Sequence, residues 1–421
     1  MIMKRTSLFL SLCLSTLLLC GCVFPLQHVS PDPDPALSLR VSGSQSDSAD
    51  FAIPSPDSAS GSDAAGALAR QQAPAGLPVI DDPKLAVFWY AMADAEVFAF
   101  REKFGPLLED SGLPFREFDA ENDRYRQLDQ IRDALSGGWN LLAVQLVDNR
   151  TTEEAEEILD LADGCPVLFF DRMPDSALFS AVLPAERSDI GLICTSAAEL
   201  GSVQGQMIGD WLISHFSSSD LDQNGQIRYT FLIGDRYDPA ALSLTQLALN
   251  SANAVLAGEG YRPLAFLDEE DTFGFQADPD GVWSSEAANA LIRSDIESYN
   301  YANGNMIELV AANNDDMALG ALTALQAARC NLGDGLCATI PLFGIGASPA
   351  ARTAVSLGQM TGTVDRNMAA YAEAVLASLR GLAAGQSAAA AFSELAESSD
   401  NYSLPDSDVP ILYVRPLPVL S

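Results

Sequence analysis

The sequence predicts an α/β fold built from two doubly wound parallel sheets. From about residue 84 onward, short apolar runs typical of strands buried on both faces alternate with stretches of helical periodicity. Repeated β-then-α units indicate a parallel sheet with helices on both faces. The length from Lys84 to Ser421 suits about two such sheets, each in its own lobe.

The predicted strands follow one another in a regular order. The first, Leu85–Ala91, is a continuous apolar run, and a helical pattern from Val97 to Glu109 follows it. The next, Leu141–Val147, leads into TTEEAEEILDLA, which opens with a threonine cap and an acidic first turn, as a helix should. The later predicted strands, each followed by helical pattern, are Pro166–Asp171, Arg228–Gly234, Ile307–Ala312, Thr339–Gly346 and Met360–Val364.

The residues just after these strands predict where a ligand binds. In doubly wound sheets, ligands bind at the carboxyl ends of the strands. The side chains there are mostly acidic or amide, which suits hydrogen bonding to hydroxyl groups, and Trp283 is available to cover the apolar face of a sugar ring. The positions are Asp94, Asp171, Asp238, Asn314, Gly346 and Arg366.

The N-terminus has the order of a secretory signal. Lys4 and Arg5 precede an apolar run, Leu8–Leu19, that is too short to span a bilayer comfortably. The sequence LCGC, ending at Cys22, resembles the lipobox of bacterial lipoproteins, and this resemblance implies cleavage before Cys22 and acylation of its thiol. Residues 1–22 are therefore a predicted lipoprotein signal peptide. An ordinary cleaved signal with a chance cysteine is the alternative.

Residues 23–83 differ in composition from the rest of the chain. They are rich in Pro, Ser, Gly, Asp and Ala, and so cannot bury enough apolar area to offset the entropy lost on ordering. We predict a disordered tether that holds the globular body away from a membrane.

The charge and the histidines limit the possible functions. The net charge of −34 disfavours nucleic acid and anionic lipid headgroups as partners. There are only two histidines, His28 and His215, and no Ser-His-Asp, Cys-His or HExxH arrangement is available. Asp94 and Asp171 are carboxylates of the type that hydrolyses glycosides, but nothing besides their type suggests this. The sequence therefore predicts a binding protein rather than an enzyme.

Four cysteines lie in the predicted body. Cys330 and Cys337 flank a turn-like NLGDGL loop, and a disulfide between them is chemically reasonable in an exported protein. Cys165 and Cys194 stand in apolar surroundings and are predicted to be buried thiols.

Five segments carry a resemblance to a known family. PVLFFDR, SDLDQNGQIRYTFLIGD, IELVAANNDDMALGAL, IPLFGIG and TGTV occur in this order. Together they resemble the galactose/glucose-binding periplasmic proteins of the methyl-galactoside ABC transporter, over about Leu85 to Val414, and suggest a spirochaetal lipoprotein member. The resemblance implies a type I periplasmic binding protein fold, in which two lobes joined by three hinge crossings close on one sugar.

The resemblance also implies how the chain divides into lobes. We expect lobe one to comprise residues 84–193 plus 366–403, and lobe two residues 194–365 plus 404–421. The expected crossings lie near Cys194–Ser196, Val364–Asn367 and Asp406–Pro410.

The same resemblance assigns ligand-binding positions. The first-strand aspartate, the stacking tryptophan and the asparagine of the ANND segment match Asp94, Trp283 and Asn314, and the asparagine after the FF pair is Asp171 here. Arg172 either contacts the ligand or pairs with an acid. Several family positions differ in this chain, where they are Glu96 (for a stacking phenylalanine), Asp238, Ala240, Leu244, Gly346 and Arg366.

The acceptors, one arginine and a stacking plane favour a neutral hexose, with D-glucose ahead of D-galactose. The resemblance then implies a monomeric, lipid-anchored periplasmic protein that delivers sugar to the permease and ATPase subunits of an ABC transporter, or presents it to a chemoreceptor. A surface interaction lipoprotein that has lost sugar binding is the alternative. A repressor-like regulator shares the fold but would need a basic DNA-binding headpiece.

One loop predicts a structural calcium site. Residues 220–228, DLDQNGQIR, match the first nine positions of an EF-hand loop, with oxygen ligands at alternate positions and Gly225 at the sharp turn. In the resembled family a distant glutamate closes the site, and it matches Glu308. Arg228 stands at position nine, where it either turns outward or pairs with Glu308 in place of a metal. An ordinary Asp/Asn/Gly turn without an ion is the alternative. The candidate ligands are Asp220, Asp222, Asn224, Gln226 and Glu308.

Overall fold

A computed structural model describes residues 77–172, 187–300, 305–405 and 409–421. The expected signal peptide with Cys22, and most of the expected tether, lie outside these residues. The last residues of the tether segment are described, and the backbone N–H of Ile80 donates to the carbonyl oxygen of Ala383 at 2.9 Å. This bond satisfies a carbonyl at a helix end, so the folded body begins before the expected boundary at residue 84.

The elements alternate along the described residues. The strands are β1 (Leu85–Trp89), β2 (Phe115–Asp119), β3 (Leu141–Val144), β4 (Val167–Phe170), β5 (Ile190–Cys194), β6 (Arg228–Ile233), β7 (Ala265–Phe266), β8 (Gln276–Ala277), β9 (Leu309–Ala312), β10 (Leu342–Ile345), β11 (Gly362–Asp365), β12 (Tyr402–Ser403), β13 (Ile411–Val414) and β14 (Leu417–Leu420). The helices are α1 (Ala95–Ser111), α2 (Arg124–Ser136), α3 (Glu153–Leu161), α4 (Ala197–Ser219), α5 (Pro239–Gly258), α6 (Ser285–Ser298), α7 (Asp315–Ala327), α8 (Pro349–Ser356), α9 (Met368–Ala383) and α10 (Ala388–Ser398). Within the described part of the chain, no helix has the length and apolar character needed to cross a bilayer.

The strands form two sheets, as predicted. The first has the order β12-β13-β5-β4-β3-β1-β2, and the second has the order β14-β11-β10-β9-β6-β7, with β8 also paired to β6. The pairs β12–β13 and β11–β14 are antiparallel, and the other pairs are parallel. The predicted fold class, two doubly wound lobes with helices on both faces, is therefore confirmed.

Each sheet is buried on both faces because its strands alternate between two apolar layers. In β1, Trp89 points into the core shared with α1 and α9, whereas Phe88 points into the opposite core with α2 and α3. In β6, Phe231 and Leu232 divide in the same way between the two cores of the second sheet. Burying each such side chain contributes roughly 1.5–3 kcal/mol, and this accounts for the continuous apolar runs in the sequence.

The chain passes between the lobes three times. It leaves the first sheet after β5 and enters α4, which packs on the second sheet. It returns after β11 into α9, which packs on the first sheet. It passes once more between β13 and β14, which belong to different sheets.

The position of this last crossing corrects our expectation. We expected it near Asp406–Pro410, with residues 404–421 in lobe two. However, β13 pairs in parallel with β5, placing Leu412 opposite Ile193, and it is buried in the core of lobe one. The apolar ILYV segment completes the first sheet, so only β14 returns to lobe two.

The four cysteines among the described residues are free thiols. The expected disulfide between Cys330 and Cys337 is therefore not formed. Their loop is held instead by Asp334, whose carboxylate accepts the backbone N–H groups of Leu336 at 2.9 Å and Cys337 at 3.1 Å. Cys165 and Cys194 are buried, as predicted.

Candidate functional site

The first half-site comprises Tyr90, Asp94, Glu96, Gln145 and Asp171, which follow strands of the first sheet. Asp94 caps α1: its carboxylate accepts the backbone N–H groups of Glu96 at 2.8 Å and Val97 at 3.3 Å. Burial raises the pKa of Tyr90 well above its ordinary value, and a hydrogen bond from its hydroxyl to Asp94 adds to this effect. The Asp94 carboxylate is thus fixed before any ligand arrives.

Asp171 is oriented by a residue that the sequence analysis missed. It follows β4 with a φ of 64°, and its carboxylate accepts the side-chain amide of Gln145 at 2.7 Å. Gln145 directly follows β3, is 2% exposed, and its Oε1 atom is buried with no hydrogen-bond partner among the described residues. A polar residue ending the apolar run LLAVQ was the sequence signal for this role.

Arg172 forms no ion pair with an acid among the described residues, and its contact with the ligand stays a prediction. Its guanidinium donates to the carbonyl oxygens of Leu146 and Val147, both at 2.9 Å, and lies 4.0 Å from the ring centroid of Tyr90. It therefore secures the loop after β3 and supports Tyr90, whose hydroxyl orients Asp94.

A charged pair joins the first half-site to the hinge. Arg366 lies in the crossing between β11 and α9, and its Nη2 atom is 3.3 Å from the carboxylate of Glu96. Arg366 lowers the pKa of Glu96, but burial and the negative charges of Asp171, Asp94 and Asp315 outweigh it, so the pKa is raised. Glu96 in turn raises the pKa of Arg366, against the opposing effect of burial.

Asp315 is the member of this charged group that belongs to lobe two. It is 4% exposed at the start of α7, and its carboxylate accepts the hydroxyl of Thr363 and the backbone N–H of Ser348, both at 2.6 Å. Burial raises its pKa, although these hydrogen bonds oppose the shift. Three carboxylates, those of Glu96, Asp171 and Asp315, therefore act on the one guanidinium of Arg366, and hydrogen-bond donors are favoured there.

The second half-site comprises Gly234, Trp283 and Asn314, at the carboxyl end of the second sheet. The indole of Trp283 lies so close to Gly234, after β6, that a Cβ atom added there would overlap the ring. Asn314 caps α7 by accepting the backbone N–H of Met317 at 2.8 Å, and its amide nitrogen lies 3.4 Å from the carbonyl oxygen of Trp283. The indole is half-buried and presents an apolar plane.

Asp238 caps a different helix. Its carboxylate accepts the backbone N–H groups of Ala240 at 2.8 Å and Ala241 at 3.4 Å at the start of α5. The described hydrogen bonds of its side chain all lie within this helix, whereas Leu244 is buried in the core. Of the sequence candidates, the structure thus groups Asp94, Asp171 and Arg366 together, and Trp283 with Asn314.

The calcium-like loop is separate from both half-sites: among the described residues, its hydrogen bonds and ion pairs involve no half-site residue. Asp220, Asp222 and Glu308 bring carboxylate oxygens within 4.8 Å of one another, and they form the one such group found among the described residues. Glu308 is fully buried and accepts the backbone N–H groups of Leu221 at 2.6 Å and Arg228 at 2.8 Å.

The remaining loop residues hold its turn. The carboxylate of Asp220 accepts the backbone N–H groups of Asn224 at 3.0 Å and Gly225 at 2.9 Å, and the side-chain oxygen of Asn224 accepts the backbone N–H of Gln226 at 2.8 Å. The guanidinium of Arg228 turns away from Glu308 and pairs with Glu269 at 2.7 Å.

Comparisons with known proteins identify the family and the fold. Residues 85–387 match the periplasmic binding protein domain family. The chain is also 30% identical, over 280 residues, to the D-galactose/methyl-galactoside binding periplasmic protein MglB of Haemophilus influenzae, covering 66% of this chain and 74% of that protein.

Two solved structures share the fold. An ABC transporter periplasmic solute binding protein from Actinobacillus succinogenes, with bound D-allose, has a TM-score of 0.56 at 16% identity, covering 80% of this chain and 97% of that one. An ABC transporter solute binding protein from Clostridium phytofermentans, with bound β-D-glucose, has a TM-score of 0.55 at 19% identity, covering 80% and 94%.

Proposed function

We propose that this chain, which belongs to the periplasmic binding protein domain family, captures a neutral hexose between its two lobes and delivers it to an ABC transporter. Its relatives are extracytoplasmic sugar-binding proteins rather than enzymes, and this chain is one of them. Within that class we propose D-glucose as the favoured ligand and D-galactose as the second. The permease and ATPase subunits are the proposed partners, with a chemoreceptor as a further recipient.

The pairing of two unlike half-sites supports this proposal. Lobe one offers carboxylates already fixed by Tyr90 and Gln145, which accept hydrogen bonds from hydroxyl groups. Lobe two offers the indole plane of Trp283, which covers the apolar face of a sugar ring. A ligand that contacts both half-sites stabilises the closed arrangement of the lobes, because its differential affinity shifts the open–closed equilibrium.

Isothermal titration with D-glucose and D-galactose tests the proposal. The protein is the chain from residue 69, which forms one compact unit. We expect saturable binding of glucose and weaker binding of galactose. No binding of either sugar would contradict the hexose assignment, and binding of a protein surface instead would favour the alternative of an interaction lipoprotein.

We also propose that Cys22 carries the lipid anchor. The LCGC sequence and the long polar segment after it support this. In cells fed an alkyne-labelled fatty acid, we expect label on the wild-type chain and on a Cys20→Ser control. The label should be lost from Cys22→Ser, which should also leave the membrane fraction; retained label would contradict the proposal.

The donor set of residues 220–228 suits a calcium ion, and we propose it as a structural cofactor. Asp220, Asp222 and Glu308 supply converging carboxylates, and Asn224 and the Gln226 carbonyl would complete the shell. Burial raises the pKa of Glu308 to about 7, and a cation would favour its ionised form. The Arg228–Glu269 pair leaves the guanidinium directed away from Glu308, so its charge does not neutralise that carboxylate.

Proton release distinguishes this site from an ordinary turn. Calcium titrations at pH 6.5 in buffers of different ionisation enthalpy should show protons released on binding, because Glu308 must ionise. Glu308→Gln should abolish binding, whereas Glu270→Gln, which changes an exposed carboxylate outside the proposed shell, should retain it. Equal calcium binding by Glu308→Gln would contradict the ligand set.

A further inference from the structure

The backbone of Trp283 is unusual for a residue with a bulky side chain. Its φ is 62°, in the left-handed region that such residues rarely occupy. A conformation of this kind persists only where the surrounding structure fixes it, and such residues cluster at ligand-binding sites. The contacts around residues 278–284 therefore reveal what holds the indole in place.

Asp278 makes the central contacts of this turn. It is 4% exposed, and its carboxylate accepts the backbone N–H of Asp280 at 2.9 Å, the backbone N–H of Ser284 at 2.8 Å and the Ser284 hydroxyl at 3.0 Å. One carboxylate thus bridges the residues on both sides of Trp283. Burial raises the pKa of Asp278, but these hydrogen bonds outweigh burial and keep the carboxyl ionised.

The same turn is attached to β6 directly beside Gly234. The backbone N–H of Asp278 donates to the carbonyl oxygen of Ile233 at 2.9 Å. A Cβ atom on Gly234 would overlap the indole atoms Cδ2, Cε2 and Cγ of Trp283. The ring therefore lies directly on the backbone of Gly234, and any other residue there would displace it.

We propose that Gly234 and Asp278 are positioning residues that hold the Trp283 indole in its ligand-stacking orientation before ligand binds. The Asp278 carboxylate fixes the backbone of the turn, and Gly234 leaves the space that the ring occupies, which a Cβ atom would fill. A plane that is already ordered costs the ligand no ordering entropy, so both residues contribute to affinity without touching the sugar. This inference rests on the proposed function only for the identity of the ligand.

The test uses the full chain labelled with 5-fluorotryptophan, and the ¹⁹F resonance of Trp283 is assigned with Trp283→Phe. In the wild-type protein without ligand we expect one narrow resonance for this residue. Gly234→Ala and Asp278→Ala should shift or broaden it and weaken glucose binding tenfold or more. Asp278→Asn keeps one acceptor oxygen, so its resonance and its glucose affinity should lie between those of these two variants and those of the wild type.

Two controls separate positioning from general destabilisation. Gly258→Ala adds a methyl group where no atom lies within 4 Å, and Asp280→Ala removes an exposed carboxylate of the same turn. Both should keep the wild-type resonance and affinity. If Gly234→Ala does not fold, Asp278→Asn carries the test alone.

An unchanged Trp283 resonance and unchanged affinity in the folded Gly234→Ala or Asp278→Asn variant would overturn the inference. If the wild-type chain binds no hexose but these variants still shift the resonance, the proposed ligand is wrong and the positioning role stands.

Discussion

The two half-sites differ in what holds their functional groups in place. In lobe one, charged and polar side chains orient one another: Arg172 supports Tyr90, Gln145 holds Asp171, and Arg366 pairs with Glu96. In lobe two, the backbone positions an apolar plane. We therefore expect lobe one to discriminate between patterns of hydroxyl groups, because an unmatched buried polar group is costly, and lobe two to retain any ring with an apolar face.

The indole should make the largest contribution to affinity. Trp283→Ala removes the apolar plane, and we expect glucose and galactose binding to weaken alike, by at least about 100-fold or about 3 kcal/mol. Titration calorimetry measures both sugars. Trp211→Ala is the matched control, because that indole stacks on His215 in α4 and should not affect affinity. A loss for one hexose only would contradict the role of a non-selective plane.

The lobes also differ in how they accommodate a buried carboxyl. In lobe two, burial raises the pKa of Asp295 to about 6, and Gln276 donates to its carboxylate at 2.7 Å. The folded state therefore holds a proton that the unfolded state has lost, so stability should fall as pH rises from 4 to 7, by about 2 kcal/mol.

Urea unfolding across this pH range measures the contribution of Asp295. The unfolding free energy of the wild type should decrease as pH rises from 4 to 7. Asp295→Asn should remove about 2 kcal/mol of this decrease, because an amide is uncharged throughout the range. The same profile in the wild type and the variant would show that Asp295 does not titrate as expected.

In lobe one the carboxylate of Glu96 is half-exposed and has a cationic partner. A double-mutant cycle with Glu96→Gln and Arg366→Met should give a coupling of about 1 kcal/mol, because both side chains retain some exposure. Arg366→Met alone should weaken glucose binding about tenfold, because three carboxylates then lack their cation. Additive single effects would mean that the pair does not act as a unit.

The smallest expected effect belongs to the residue behind Asp171. Gln145→Leu removes the donor to that carboxylate, and we expect glucose affinity to fall about threefold, or about 0.7 kcal/mol. The exposed Gln246→Leu in α5 should change nothing. Gln145→Leu is compared on both sugars. If it changes the ratio of glucose to galactose affinity more than it changes glucose affinity itself, lobe one is the lobe that discriminates between the two sugars.

The strand β5, IGLIC, is buried on both faces and was not predicted, but most other strands of this kind could be predicted because their apolar runs are continuous. Edge strands could not: β2, FREFD, alternates polar and apolar residues and was not predicted. The segment of β13 is apolar, yet its lobe depends on pairing with β5, more than 200 residues away in the chain. Sequence pattern does not determine such long-range pairing.

The site was predictable only in part, for a similar reason. The rule that ligands bind at strand ends singled out Asp94, Asp171 and Asn314 without any contact information. The pairing of Glu96 with Arg366, and the close approach of Trp283 to Gly234, join residues that are distant in the chain. Their roles depend on orientation, which neither residue type nor spacing reveals.

The most direct test of the central claim is hydrogen–deuterium exchange with and without saturating D-glucose. If one hexose binds between the two unlike half-sites, glucose should slow exchange in both residues 90–97 and residues 281–284. Protection of one segment alone, or of neither, would contradict capture between the lobes.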